Sequence, residues 1–234
     1  PAAHDGGTVL GAGVLSTSAN DHPPMETVYL GPKYSSEEIS RKLDNYKIPY
    51  QRLADVENKI ASELASGSIV GWFQGRTEFG PRALGHRSII ADPRSEKIRD
   101  KINRSVKHRE TWRPFSPSIL KNKADAFLSN PASAPFMIET FNIRPEVRES
   151  IEGVIHPVDD TVRPQIVNQT SSPRYYKLIK EFESITGLPV ILNTSFNDNG
   201  EPIVNTPTEA LQDFFTMGLD TLVLEDCLIQ KSEL

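Results

Sequence analysis

Apolar residues recur along the chain at two spacings, and the change from one to the other marks out its elements. In "DVENKIASELASG" (55–67), Val56, Ile60, Ala61 and Leu64 fall at helical intervals. Asp55 stands where a cap belongs and Gly67 where a helix stops. "SIVGWF" (68–73) follows as a continuous apolar run, the pattern of a buried strand. "DPRSEKIRDKINRSV" (92–106) predicts a helix with Pro93 in its first turn and a stripe of Ile98, Ile102 and Val106. "SSPRYYKLIKEFESITG" (171–187) predicts an amphipathic helix closed by Gly187, and "LPVILN" (188–193) a strand. "TPTEALQDFFTMG" (206–218) carries Thr206 before Pro207, Glu209 three residues on as a capping box, and Gly218 as a stop. "TLVLE" (221–225) reads as a last buried strand. Strands alternating with helices predict an α/β domain around a mixed, largely buried sheet. Residues 122–160 are irregular and predict no firm element, and residues 16–37 are polar and proline-bearing, as in a linker.

With 234 residues the chain is long enough for one domain and an appendage. It starts at Pro1 without a methionine, so an upstream part is expected. No apolar run approaches the roughly 18 residues of a membrane span, which excludes a membrane partner from the expectations. The single cysteine, Cys227, cannot form an internal disulfide and lies in an apolar stretch. A buried, inert thiol in a reducing cytoplasm is expected. Net charge is −5, but residues 76–113 hold 11 basic and 5 acidic residues, a local +6. A basic island in an acidic chain suits a small polyanion better than long nucleic acid, which favours a broad basic face.

Four constellations could carry chemistry. "GRTEFGPRALGHRS" (75–88) sets Arg76, Arg82 and Arg87 among three glycines. Guanidinium forks match phosphate oxygens, and glycine lets backbone approach a ligand closely. The loop lacks the GK[ST] of a Walker A motif. "NRSVKHRETWRPFSPS" (103–118) places Lys107 and Arg109 one residue apart, so an extended segment would face them the same way. Trp112 and Phe115 are expected in the core, with stacking on a base as the alternative. "LNTSFNDNGEPIVNTPTEAL" (192–211) runs from a strand into polar residues, with Ser195 and Asn197 placed for phosphate or ribose. In open α/β sheets ligands gather at such strand ends. "TVRPQIV" (161–167) sets Arg163 before Pro164, in extended backbone. The five histidines show no HxxxH or HExxH spacing, and there is no Gly-x-Ser-x-Gly elbow.

Taken together, "GWFQGRTEFGPRALGHRSIIADPR", "NRSVKHRETWRPFSPS", "VRPQIV" and "LNTSFNDNGEPIVNTPTEAL" closely resemble the carboxyl-terminal part of the nodulation-protein-U and cephamycin-type O-carbamoyltransferases. The resemblance runs from about residue 56 to the end. It implies a YrdC-like (Sua5-like) α/β fold, a twisted, mixed open sheet with flanking helices. The family pattern of Lys-x-Arg followed by Ser-x-Asn resembles Lys107–Arg109 and Ser195–Asn197. The opening "PAAHDGGTVLGAG" is similar to the last segment of the family's Kae1-like domain, in which an aspartate matching Asp5 is a metal ligand. The implied organisation is a Kae1-like tail at 1–15, a linker at 16–54 and the YrdC-like domain at 55–234.

The resemblance also implies a reaction. ATP with Mg²⁺ and carbamoyl phosphate would form carbamoyl-adenylate, and an N-terminal Kae1-like domain holding iron would pass the carbamoyl group to a hydroxyl of a sugar or natural product. Arg82, Arg87 and Lys107 are then expected to grip phosphates and stabilise charge on the α-phosphate. Arg76 would do the same or pair with Glu78 or Glu110. Arg109 and Arg163 would hold the carbamoyl phosphate end, and Ser195 and Asn197 the nucleotide. Two alternatives stand beside this: a threonylcarbamoyl-adenylate synthase, from which the arginine loop departs, and a non-catalytic nucleotide- or RNA-binding module.

Overall fold

The computed structural model describes residues 1–17, 25 and 27–233. After a short 3-10 turn, α1 spans Thr8–Ser16 and α2 Ser36–Tyr46, followed by β1 (Gln51–Arg52), α3 (Val56–Ala65), β2 (Val70–Phe73) and β3 (Arg87–Ala91). Then come α4 (Glu96–Ser105), β4 (Ser116–Leu120), α5 (Ala124–Phe127), β5 (Phe141–Asn142), β6 (Thr161–Val162) and β7 (Gln165–Val167). The chain closes with α6 (Pro173–Thr186), β8 (Val190–Ser195), α7 (Pro207–Thr216), β9 (Thr221–Leu224) and β10 (Cys227–Gln230).

Among the described residues, eight strands form one sheet in the order β1-β10-β9-β2-β3-β8-β4-β7. It is mixed: β2 runs parallel to β9 and β4 to β7, and the other neighbours are antiparallel. Helices α3 and α6 pack on each other, α6 also lies on β4 and β8, and α7 lies on β2 and β9. The expected stripe of Val56, Ile60, Ala61 and Leu64 is fully buried. Asp55 accepts from the Asn58 N–H as N-cap, and Thr206 with Glu209 forms the expected capping box. Gly187 closes α6 in the left-handed conformation, φ +78°. The α/β expectation holds: the sheet is open and mixed, with helices packed against it, as the resemblance implies.

Several local expectations change. The stretch expected as linker, 16–54, contains α2, whose Ile39 and Leu43 enter the main core behind a Ser35–Glu38 capping box. Its residues 18–24 and 26 lie outside the described residues. Helix α4 starts after Ser95, so Pro93 precedes it rather than opening it. Helix α7 ends before Met217, and Gly218 serves close packing instead: its N–H donates to the Ser105 carbonyl at 2.7 Å, and a Cβ there would meet that oxygen at 2.6 Å. β4 was missed because Pro117 interrupts it. It sits opposite Leu192 of β8 at a non-hydrogen-bonded position, since the bond from the Leu120 N–H to the Pro189 carbonyl fixes the alternation of the ladder, so its missing N–H removes no bond to β8.

Candidate functional site

β2 ends at Phe73 and β3 starts at its antiparallel partner Arg87, so the arginine motif is the connection between two adjacent central strands. This connection is held from all sides. At its start the Gly75 N–H donates to Glu225 Oε1 at 2.6 Å. At its end Glu78 Oε1 accepts from the backbone N–H groups of Leu84 (2.8 Å), His86 (2.7 Å) and Arg87 (3.1 Å). From below, Asn193 donates to the Ala83 carbonyl, Gln165 and Tyr29 to that of Leu84, and Trp72 Nε1 to that of Gly85. Gly85 has φ +93°, and a Cβ there would lie 2.3 Å from the Tyr175 ring, so only glycine fits. Gln165, Ser118, Asn193 and Tyr175 are hydrogen-bonded to one another beneath the loop.

Arg87, expected as a phosphate grip, is bonded into this scaffold. It is fully buried as the first residue of β3. Its guanidinium donates to the carbonyls of Gln74 (2.7 Å), His86 (3.0 Å) and Gly75 (3.2 Å) and stacks 3.5 Å over the Phe73 ring. Burial brings its pKa down to about 10, against the opposing pull of Glu78 and Glu225. Arg76 is exposed and donates to the Gly31 carbonyl at 3.0 Å rather than to Glu78 or Glu110.

Arg82, at the outer turn of the loop, is different. No hydrogen bond or ion pair is formed by its side chain among the described residues, and its Nε is buried without a partner. Arg163, between β6 and β7, is in the same condition. The two share a cavity of ≈ 350 Å³ with Pro1, Ala3, His4, Pro81 and Ile138. Burial lowers both pKa values, and Arg82 lowers that of Arg163 further. Two half-buried guanidiniums thus line one cavity whose described lining contains no acid, an arrangement whose charge suits an anion.

Lys107, Ser195 and Asn197 come together as expected, although not by the route expected. His108 takes a left-handed φ of +44°, so the segment turns sharply instead of running extended. Lys107 is thereby buried, with Nζ 2.6 Å from the Ser195 carbonyl oxygen, 2.8 Å from that of Asn197 and 2.8 Å from Asn197 Oδ1. Ser195 is the last residue of β8, and its Oγ donates to Asn197 Oδ1 at 2.6 Å. Burial, and then Arg109, push the Lys107 ammonium down to about 7, against Asp198 and Asp213. Arg109 turns the other way. Its Nε donates to Asn103 Oδ1 at 2.8 Å, and its guanidinium lies 4.9 Å over Phe115. Trp112 was expected in the core and is instead 65% exposed on the same turn, while Phe115 is buried.

Ser195 and Asn197 line a second cavity, ≈ 460 Å³, with Thr77, Glu78, Gly80 and Pro81. Pro81 lines both cavities, so the Lys107 cluster and the Arg82–Arg163 pair flank one turn of the arginine loop. A larger cavity, ≈ 950 Å³, lies beside edge strand β7 and contains none of the expected site residues. Asn103, Asn193 and Gln165 shape the site without having been singled out from sequence, and Glu78 was named only as a partner for Arg76. Asn193 and Gln165 adjoin the apolar runs "VIL" and "IV", the one sequence signal that could have found them, while Asn103 and Glu78 carry none. Asp5 is exposed in the first 3-10 turn, and no group of three or more His, Cys, Asp or Glu among the described residues is placed to hold a metal. The expected iron therefore does not fit these residues alone.

The model of the carbamoyltransferase C-terminus family matches residues 61–231. The chain belongs to this family. Nodulation protein NolO of Bradyrhizobium diazoefficiens is 42% identical over 99% of the chain and 44% of its own length. The 3'-hydroxymethylcephem-O-carbamoyltransferase of Amycolatopsis lactamdurans is 28% identical over 100% of the chain and 44% of its own length. The chain thus spans less than half of each of these relatives. Among solved structures, full-length HypF in a phosphate- and nucleotide-bound form matches with a TM-score of 0.54 and 19% identity, over 76% of this chain and 26% of that one. That likeness concerns the fold. Among the described residues, no helix of this carbamoyltransferase domain is long and apolar enough to cross a membrane.

Proposed function

We propose that the chain is the carbamoyl-adenylate-forming part of an O-carbamoyltransferase. The observation that carries the reading is the pairing, around Pro81, of a buried lysine held by Ser195 and Asn197 with two acid-free arginines. ATP and carbamoyl phosphate bring several negative charges into one site, and their repulsion must be offset by fixed cations.

Lys107 supplies one such cation beside Ser195 and Asn197, where the nucleotide phosphates would lie, brought in with their Mg²⁺. Arg82 and Arg163 would receive the carbamoyl phosphate. Atom balance requires two steps. Water takes the phosphate from carbamoyl phosphate and leaves carbamate. A carbamate oxygen then attacks the α-phosphorus of ATP as pyrophosphate leaves. No acid–base residue is needed for the second step beyond positioning and charge stabilisation. The relatives named above support the carbamoyl group as cargo, and the cephem enzyme's name supports a hydroxyl as acceptor. Transfer to that hydroxyl would fall to the portion of the longer relatives that precedes this one, which would also have to supply any iron ligands beside Asp5.

The test is ATP–pyrophosphate exchange with labelled pyrophosphate, with and without carbamoyl phosphate, on the 234-residue chain. Exchange that depends on carbamoyl phosphate is expected. ATP binding without exchange would mean that these residues do not complete an adenylating site.

A further inference from the structure

The arginine loop carries three guanidiniums and one carboxylate, Glu78, four residues before Arg82. At that spacing the carboxylate could simply neutralise Arg82, yet it turns inward. Its Oε1 collects three backbone N–H groups, from Leu84, His86 and Arg87, and the side chain is 8% exposed. Two consequences follow for Arg82. The chain on either side of it is fixed, at Glu78 before and at Leu84 after, and the carbonyls of Ala83 and Leu84 are fixed from below as well. The short outer turn through Gly80 (φ +112°) and Pro81 then has little freedom, and it carries the Arg82 guanidinium to the cavity of Arg163. In addition, the acid nearest in sequence is committed elsewhere, which leaves Arg82 without an ion pair among the described residues.

We propose that Glu78 is the positioning residue of the anion site and acts through Arg82. It holds the turn in the one conformation that presents an unpaired guanidinium beside that of Arg163. This rests on reading the Arg82–Arg163 cavity as a site for a phosphate-bearing anion. It does not depend on which reaction follows. Charge-assisted bonds from three N–H groups to one carboxylate are stronger than those to a neutral amide oxygen. Glu78→Gln keeps one acceptor oxygen, weakens all three bonds, and sets an amide N–H₂ where Glu78 Oε2 is buried without a partner.

The experiment is a double-mutant cycle on the 234-residue chain, with inorganic pyrophosphate as probe and calorimetry as readout. Wild type, Glu78→Gln, Arg82→Ala and the double variant are compared, with melting temperatures measured alongside. Glu78→Gln is expected to weaken pyrophosphate binding about ten-fold, and that loss is expected to vanish in the Arg82→Ala background. A purely structural role would weaken both backgrounds equally, and such additivity overturns the proposal. Wild-type affinity in Glu78→Gln also overturns it, as does absence of pyrophosphate binding by the wild type. If Glu78→Gln does not fold, Glu78→Asp replaces it. That variant keeps the charge and should give a smaller loss with the same non-additivity. Failure of carbamoyl-phosphate-dependent exchange with this cycle intact would remove the proposed reaction and leave the positioning role standing.

Discussion

The Nζ of Lys107 lies 2.8 Å from both the backbone oxygen and the side-chain oxygen of Asn197, and 2.6 Å from the backbone oxygen of Ser195. One ammonium therefore joins the turn after α4 to the end of β8, and no salt bridge to a carboxylate is involved. The dipoles of these groups, with the longer-range charges of Asp198 and Asp213, hold the ammonium against Ser195 and Asn197, which line the second cavity where a nucleotide phosphate is proposed to lie. Lys107→Ala is expected to lower carbamoyl-phosphate-dependent exchange by about 100-fold or more, the scale of losing one fixed charge at a reacting phosphate. The fold should remain, as judged by circular dichroism and thermal melting. Exchange within a few-fold of wild type would remove Lys107 from the site.

The same burial makes the site sensitive to pH. Lys107 is brought from its ordinary 10.5 down to about 7, with Arg109 adding to the shift and Asp198 and Asp213 opposing it. Asp213 is pushed up to about 6, by burial and then by Glu201 and Asp198. Between about pH 7 and 10.5 the unfolded chain binds the lysine proton more tightly than the folded one, so stability from this group rises with pH across that window. Ligand binding has the opposite sign. A phosphate beside Nζ favours the ammonium, so binding at about pH 8 should take up a proton, approaching about one per site. Calorimetry of ATP binding in two buffers of different ionisation enthalpy measures this uptake. Lys107→Ala should abolish it.

The elements with periodic or capped sequences were legible: α3, α6 and α7 from apolar spacing and caps, and β2, β8 and β9 from apolar runs. The pairing of Lys107 with Ser195 and Asn197 was legible only through the resemblance, because 88 residues separate Lys107 from Ser195 and no spacing rule spans that distance. The setting of Arg87 was hidden for a related reason. Nothing local distinguishes an arginine that reaches out for phosphate from one that turns inward to bind the carbonyls of Gln74, Gly75 and His86. α2 was hidden because only two of its three buried residues, Ile39 and Leu43 but not Ser40, are apolar, too few for a strong helical stripe. Trp112 was placed inside on residue type, but its turn is held by Asn103, which donates to the carbonyls of Thr111 and Arg113 and leaves the indole outside.

The contrast between the two arginines of the loop can be measured directly. Arg87→Ala removes donors from four carbonyls, those of Gln74, Gly75, His86 and Pro32, and opens space against Phe73. Losing the cationic member of such a buried network costs about 3 kcal/mol or more. Arg82→Ala removes a side chain without hydrogen-bond or ion-pair partners among the described residues and should change stability by no more than about 0.5 kcal/mol. Urea unfolding of both variants tests the difference. Equal losses would mean that Arg82 is part of the scaffold rather than of the anion site.

Gly85 and Gly67 both sit at strongly positive φ, +93° and +91°, but only Gly85 is crowded. A Cβ on Gly85 would meet the Tyr175 ring at 2.3 Å, whereas one on Gly67 would meet nothing within 4 Å. Gly67→Ala therefore isolates the conformational cost of a left-handed residue, about 1–2 kcal/mol. Gly85→Ala adds overpacking of a further 1–3 kcal/mol or so, because Tyr175 is buried and hydrogen-bonded to Ser118 and cannot step aside. Displacing Gly85 also pulls on the backbone bonds that Leu84 and His86 make to Glu78, which should carry Arg82 out of place. Gly85→Ala should thus lose pyrophosphate affinity as well as stability, while Gly67→Ala, remote from the loop, loses stability alone. Paired urea unfolding and calorimetry on the two variants separate these effects. Unchanged pyrophosphate affinity in a folded Gly85→Ala chain would show that the loop's inner packing does not set the position of Arg82.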